Sequence, residues 1–336
     1  MRYSPTAEIP PTMRAAVVTA YGSPEVVQIL RVPTPTPKSD EVLVRVQTAT
    51  VSSGDWRVRS LTVPPGFGLV MRLLFGVRGP RQPILGSELA GTVVAVGADV
   101  TRFRIGDDVF AYNDGRLGAH AEFVAVPAAG PIAPKPAALS WEEAAALSFG
   151  SNTALHFFRK GKLQAGERVL VNGASGSVGT AAVQLAKHLG AHVTGVCSTR
   201  NVDLVTSLGA DAVIDYTERD FVEKDADYDV VMDTAGTAPF ARSERVLSEG
   251  GRLLQVLGGL PDMLRAPLVA LRTDKRIVAG NATGSAENQR ELAALAEAGV
   301  LKPVIDRVYP LDEIVEVHRY VGTGRKRGNV VVVVLS

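Results

Sequence analysis

The run Val169-Leu170-Val171-Asn172-Gly173-Ala174-Ser175-Gly176-Ser177-Val178-Gly179, continued by Thr180 to Leu189, constrains the fold more than any other part of the chain. An apolar strand enters a glycine turn that opens an amphipathic helix, so unpaired backbone N–H groups at the helix start can hold a pyrophosphate. Gly173 serves the turn, Gly176 the close approach of the ligand, and Gly179 the packing of helix on strand. Ser175, Ser177 and Val178 fall among the expected phosphate contacts. An ordinary tight strand-to-helix turn has the same local look. A second strand ending at Cys197, at the spacing a βαβ unit requires, favours a dinucleotide site.

Around this motif short apolar runs alternate with helical ones. Arg168 to Asn172, His192 to Cys197, Ala212 to Ile214, Val230 to Asp233, Arg252 to Val256 and Arg276 to Ala279 read as strands, with helices reaching Leu189 and Leu208. Such alternation builds a parallel sheet covered on both faces. From Arg14 to about Pro127, runs at Ala15 to Thr19, Glu41 to Thr50, Ala90 to Val96, Asp108 to Ala111 and Ala121 to Val126 are separated by Gly and Pro, which predicts an all-β, barrel-like unit. Pro127 to Pro136 reads as a crossing segment, and Ser140-Trp141-Glu142-Glu143 opens a helix expected to run through Phe158. The tail predicts a helix at Gln289 to Ala298 ended by Gly299, a strand near Val304 to Val308, a helix at Leu311 to Val321 ended by Gly322, and a Val-rich closing strand.

Composition narrows the partners. With 36 basic and 35 acidic side chains the net charge is +1, which lacks the field expected of a nucleic-acid-binding protein. A single cysteine, Cys197, forbids an internal disulfide and a cysteine-rich zinc lobe, and reads as a reducing, cytoplasmic compartment. No apolar run reaches the ~18 residues needed to span a bilayer. Met1 to Thr12, with three prolines and no apolar leader core, is expected to be a flexible extension.

The end of the second strand decides the dinucleotide. A carboxylate there would bind the adenosine ribose hydroxyls and repel a 2′-phosphate. The strand runs out as Cys197-Ser198-Thr199-Arg200-Asn201 with no acid, so Ser198, Arg200 and Asn201 argue for NADPH. The alternative is that Ser198 and Asn201 cap the next helix and Arg200 is solvated. Tyr216, after the third strand, either flanks the adenine or packs at the surface.

Several stretches resemble the zinc-independent, quinone oxidoreductase-like branch of the medium-chain dehydrogenase/reductase superfamily. They are Asn172 to Gly179 with Gln184-Leu185-Ala186-Lys187, Leu208-Gly209-Ala210-Asp211 through Tyr216, Gly86-Ser87-Glu88-Leu89-Ala90-Gly91, Arg104-Ile105-Gly106-Asp107-Asp108-Val109, and Lys326-Arg327-Gly328-Asn329-Val330-Val331. The resemblance covers nearly the whole chain from Arg14 onward. It implies an α/β protein made of a GroES-like β-barrel catalytic domain (13–133) and a Rossmann dinucleotide-binding domain (134–284), with 285–336 returning to the first. It also implies cofactor contacts from Thr153 and Asn329, and a homodimer paired at the edge near Arg276 to Ala279.

Zinc-dependent members of the superfamily hold the metal with a cysteine and a Gly-His-Glu histidine; the matching places here are Ser52 and Ser87, neither a credible ligand. His120, His156, His188, His192 and His318 show no ligand spacing. A tyrosine carried by several relatives is replaced by Arg57, which can hold an oxyanion but not donate a proton at neutral pH. Ser52, Ser53 and Arg57 are therefore the candidate catalytic donors, with water as the proton source. Between Trp56 and Gln82 lie Arg57, Arg59, Arg72, Arg78 and Arg81, with Phe67, Leu69, Val70, Met71, Leu73, Leu74 and Phe75 and no acid. This segment reads equally as a lid carrying positive charge to the cofactor phosphates or as a surface loop. The expected reaction is hydride transfer from NADPH to a quinone or α,β-unsaturated carbonyl. An alcohol/carbonyl dehydrogenase, and a cofactor-binding structural or regulatory protein with little turnover, are the rivals.

Overall fold

The computed structural model describes residues 9–62, 72–73, 76–223, 227–258 and 260–335. Its strands are β1 (Thr12–Val18), β2 (Val27–Pro33), β3 (Glu41–Thr50), β4 (Glu88–Val96), β5 (Asp108–Tyr112), β6 (Phe123–Pro127), β7 (Ile132–Pro134), β8 (Arg168–Asn172), β9 (His192–Cys197), β10 (Ala212–Asp215), β11 (Tyr228–Asp233), β12 (Leu247–Gln255), β13 (Arg276–Ala279), β14 (Ile305–Pro310) and β15 (Asn329–Val333). The chain divides into two compact units: Met1–Phe149, Gly284–Gly299 and Ile305–Ser336 form one, Gly150–Thr283 and Val300–Val304 the other.

The second unit is a six-stranded sheet in the order β10-β9-β8-β11-β12-β13, every pairing parallel. The order reverses between β8 and β11, the place where doubly wound sheets bind ligands beyond the carboxyl ends of their strands. Val169, Leu170 and Val171 of β8 are fully buried, as a central strand covered on both faces requires. Leu170, Val196, Ile214, Val231 and Leu253 come from five neighbouring strands into one core cluster. Each contributes roughly 1.5–3 kcal/mol by leaving water.

The first unit carries a two-stranded sheet, β1-β2, and a seven-stranded sheet in the order β14-β15-β3-β4-β5-β7, with β6 also paired to β3. Val42, Val44 and Val46 of β3 alternate into a core with Leu89, Val109, Val126, Val330 and Val332. Leu43, on the opposite face of β3, packs into a second cluster with Met13, Ala15 and Phe123, so this central strand is covered on both faces.

Several expectations shift. The domain boundary expected near residue 134 falls at Phe149, because the Trp141–Ala145 helix is tied to the first unit. The Thr48 hydroxyl donates to the Trp141 carbonyl at 2.7 Å, and the Phe149 N–H donates to Glu88 at 2.5 Å. Within the expected 285–336 return, 300–304 stay with the second unit. There Lys302 N–H donates to Gln184 Oε1 at 2.9 Å, and Gln184 Nε2 returns to the Lys302 carbonyl at 3.1 Å. The extension expected to reach Thr12 is ordered from Pro11, whose carbonyl accepts from Thr34 N–H at 3.0 Å; residues 1–8 lie outside the described residues. The single helix expected through Phe158 is two, Trp141–Ala145 and Ser148–Gly161. The last helix, expected from Leu311, begins as a separate 3-10 turn at Leu311–Glu313 and is helical over Ile314–Gly322, with the left-handed Gly324 beyond it.

Two glycines make the strand-turn-helix possible. Gly173 sits at φ +80°, and a Cβ on Gly179 would lie 2.1 Å from the Gly173 carbonyl oxygen. Gly179→Ala must therefore push the helix off the strand, with a cost of about 1–3 kcal/mol and a fall of several degrees in melting temperature. Gly115→Ala, with nothing within 4 Å, is expected to leave the melting temperature unchanged in the same calorimetric comparison.

Candidate functional site

The Ser177–His188 helix starts at Gly176, which gives its first turn no side-chain cap. Its N–H groups point beyond the carboxyl end of β8, an arrangement suited to an anion. Gly150, in the Ser148–Gly161 helix, packs so tightly on this start that a Cβ there would meet the Ser177 carbonyl oxygen at 2.5 Å. Thr153, 5% exposed, lies one turn further along that helix.

Side chains knit the neighbouring strand ends together. Asn172 Nδ2, at the end of β8, donates to Asp233 Oδ1 and to Thr237 Oγ1, each at 2.8 Å. Asp233 also accepts from the N–H groups of Ala235, Gly236 and Ala238, holding the loop after β11. The Thr234 hydroxyl donates to the Asn172 carbonyl at 2.8 Å. Beyond β9, Asn201 Nδ2 donates to Ser175 Oγ at 3.1 Å and Ser198 Oγ at 3.2 Å. Ser175, Ser198 and Asn201 are thus brought into direct contact across two loops. Ser198 and Asn201 occupy cap positions, yet neither side chain caps its helix. Tyr216, 61% exposed, follows β10 with its N–H on the Cys197 carbonyl at 3.0 Å. Burial pushes the Cys197 thiol up to about 11, with the Asp215 carboxylate adding to the effect.

In the first unit, Ser52 caps the Ser53–Ser60 helix. Its Oγ accepts from Gly54 N–H at 3.1 Å and Asp55 N–H at 3.2 Å, and donates to Asp55 Oδ2 at 2.6 Å. A hydroxyl has one proton and two lone pairs, so all of its capacity is spent. The expected donor role of Ser52 is corrected on that ground. Asp55, 3% exposed, also accepts from Ser52 N–H at 2.7 Å and Gly86 N–H at 2.8 Å. The Ser-x-x-Asp spacing of this capping box was a readable signal in the sequence.

Ser53 is exposed, and Arg57 is half-buried with no carboxylate partner among the described residues. Burial lowers the Arg57 pKa from its ordinary value. Arg59 departs from the expected lining of cofactor phosphates: it is 2% exposed and donates to the Gly22 carbonyl. Arg72 donates to the Val77 carbonyl at 3.1 Å, and Arg78 and Arg81 are exposed. Phe67, Leu69, Val70, Met71, Leu74 and Phe75 of the expected lid lie outside the described residues. Asn329 opens β15 and is 6% exposed.

Glu88, beside the second serine position, is 1% exposed and accepts from Thr50 Oγ1 and Phe149 N–H, each at 2.5 Å. Burial raises its carboxyl to about 7; the two hydrogen bonds and Lys326 oppose the rise and Asp55 adds to it. Lys326, lowered to about 8 by burial, donates to the Gly328 carbonyl at 2.7 Å. His120 Nε2 donates to the Thr50 carbonyl at 2.8 Å, and burial with His120 and Arg59 nearby holds His318 well below the usual imidazole range. Among the described residues no group of three His, Cys, Asp or Glu side chains is placed to hold a metal ion.

Comparison with known proteins converges on one family. The alcohol dehydrogenase GroES-like domain matches residues 38–137, and the family described as zinc-binding dehydrogenase matches residues 208–332. A quinone oxidoreductase of Mus musculus is 31% identical over 332 residues, 93% of this chain and 96% of the relative. A 2-methylene-furan-3-one reductase of Solanum lycopersicum is 32% identical over 342 residues, 98% of this chain and 81% of the relative. The structure of the quinone oxidoreductase from Coxiella burnetii superposes with a TM-score of 0.86 at 29% identity, over 96% of this chain and all of that one. The chain belongs to the medium-chain dehydrogenase/reductase superfamily. Within it the chain falls in the quinone oxidoreductase-like branch and is a pyridine-nucleotide-dependent oxidoreductase.

The buried Glu88 gives a pH signature. Its carboxyl rises from an ordinary 4.5 to about 7 on folding, so in that interval the native state binds more protons than the unfolded one. Stability therefore falls as pH rises through this window, and the penalty is complete above it. Glu88→Gln keeps an acceptor for Phe149 N–H without the charge. It is expected to melt higher than wild type at pH 8, by on the order of 1–3 kcal/mol, with the difference vanishing at pH 4.5. A variant equally weakened at both pH values contradicts the assignment.

Proposed function

We propose that this protein is a zinc-independent NADPH oxidoreductase that reduces electron-poor conjugated acceptors, quinones or α,β-unsaturated carbonyls. The observation that carries the choice of acceptor is the closed hydrogen bonding of Ser52. Where zinc-dependent members hold a metal, this chain has a spent helix cap, a second serine at Ser87, and a Glu88 committed to Thr50 and Phe149. These residues do not fit a catalytic zinc.

Reducing an isolated ketone develops a localised alkoxide, which calls for a strong electrophile. A conjugated acceptor spreads the charge to a remote oxygen, where a few donors suffice. Arg57, a half-buried cation without a carboxylate partner among the described residues, is suited to that oxygen, and the exposed Ser53 hydroxyl is the second donor. Water supplies the final proton. The names of the mouse and tomato relatives support this reading.

The second unit fits the dinucleotide. The glycine turn admits the pyrophosphate, Thr153 is assigned to a cofactor contact, and Ser198 and Arg200 to the adenosine 2′-phosphate. Bound NADPH supplies a hydride. The protein's task is to select it, orient it and exclude water.

The proposal extends to a homodimer and a cytoplasmic location. Strand β13 ends its sheet with one edge open, and Leu268 and Leu271, in the preceding Leu260–Arg272 helix, are 51% and 82% exposed. Among the described residues no helix is long and apolar enough to cross a membrane. Light scattering at micromolar concentration tests the dimer: twice the chain mass is expected, and a monomer would remove it.

In NADPH-oxidation assays, 1,4-quinones and enones should be consumed far faster than cyclohexanone or benzaldehyde. Arg57→Ala should lower turnover at least about tenfold, a loss of ~1.4 kcal/mol of transition-state stabilisation, while NADPH affinity holds. Robust reduction of plain ketones with inert quinones, or stoichiometric zinc tracking with activity, would move the alcohol dehydrogenase reading to first place. Arg200→Asp should weaken NADPH and spare NADH in a binding titration; equal affinities in wild type would refute the cofactor choice.

A further inference from the structure

The contact among Asn201, Ser175 and Ser198 has a direction. An amide nitrogen carries two N–H bonds, and here both are spent, one on each serine oxygen. A serine hydroxyl that accepts from Asn201 keeps its single proton for another partner. The hydroxyls of Ser175 and Ser198 have no other hydrogen bond among the described residues, and both residues are half-buried. Asn201 itself is 4% exposed, with its Oδ1 buried and unpartnered. Turning the amide over would orphan two N–H groups instead of one carbonyl and consume both serine protons, so the observed orientation is the cheaper one.

We propose that Asn201 is a positioning residue that polarises Ser175 and Ser198, one on the glycine turn and one beyond β9, so that both hydroxyls donate to the adenosine 2′-phosphate. The proposal rests on the NADPH reading and goes beyond it. Asn201 then does not touch the phosphate, because its donors are committed and its remaining atom is an acceptor. Selectivity comes instead from two neutral donors aimed by a buried amide, alongside the charge of Arg200. A phosphate monoester accepts hydrogen bonds without needing to donate any, whereas a ribose 2′-hydroxyl can both donate and accept, so serines held as donors favour the phosphate.

The experiment is calorimetric titration of the full-length protein with 2′,5′-ADP and with AMP, which differ by the 2′-phosphate and undergo no reaction. Wild type should bind 2′,5′-ADP much more tightly. Asn201→Ala should lose about tenfold in 2′,5′-ADP affinity and stay within about twofold for AMP. Asn201→Asp, the same shape with acceptors in both positions, should turn the serine protons inward and lose more. Added charge alone could mimic that loss, so the cycle with Ser198→Ala decides. Ser198→Ala should cost several-fold in the Asn201 background and nothing further in Asn201→Ala. Additive losses, or unchanged discrimination in Asn201→Asp, would overturn this inference and leave the NADPH reading standing. Wild type unable to distinguish the two nucleotides would overturn both. If Asn201→Asp does not fold, the cycle between Asn201→Ala and Ser198→Ala distinguishes coupled from additive losses by itself.

Discussion

The approach of the Ser177–His188 helix to the Gly173 carbonyl is the constraint on which the second unit depends. With no Cβ at Gly179, the helix descends onto β8 until its start lies at the strand's carboxyl end. A side chain there would hold the helix away, and the uncapped N–H groups of its first turn would no longer converge on one place. The same descent brings Ser177 against Gly150, so the helix carrying Thr153 is fixed to the turn by backbone contact rather than by a flexible side chain. Asn172, Thr234 and Asp233 then lock the loop after β11 to the end of β8. Backbone contacts and buried hydrogen bonds thus fix the turn, the helix start and the loop after β11 to one another.

The first unit solves a different problem. A buried carboxylate must be satisfied or it destabilises the fold. The Asp55 carboxylate meets this by accepting two hydrogen bonds from Ser52 and one from Gly86, and so fixes the Ser53–Ser60 helix against the turn before β4. Glu88 has two bonds and less compensation, and its carboxyl rises accordingly. The helix set by Asp55 presents Ser53 and Arg57, so the catalytic assignment depends on a group that itself has no free valence for substrate.

Much of this was legible in the sequence, and the reasons are local. Strands β3, β8 and β9 match their expected spans because each is a short run rich in Val and other strand-favouring residues, and the glycine motif lies at the predicted strand-to-helix turn. Strand β2 was missed because its apolar residues Val27, Ile29, Leu30 and Val32 do not alternate cleanly with polar ones, and only Val27 is buried in its pairing with β1. Strand β7 hid in the Pro-rich crossing segment, and the Leu260–Arg272 helix behind its internal Pro267. Side-chain roles were less readable where they depend on distant partners. Arg59 looked like cofactor charge until its buried bond to Gly22 appeared, 37 residues away. Asn201 looked like a phosphate ligand or a helix cap; its side chain caps no helix, and its partner Ser175 lies 26 residues back in sequence.

The central claim is that hydride enters a conjugated system at its remote carbon, with the developing charge held by donors rather than a metal. It is tested most directly by following the label from NADPH carrying deuterium at C4 into a simple enone, with the product read by NMR. Deuterium on the carbon β to the carbonyl, giving a saturated ketone whose second new hydrogen comes from water, is the result this account predicts. Deuterium on the carbinol carbon of an allylic alcohol would contradict it.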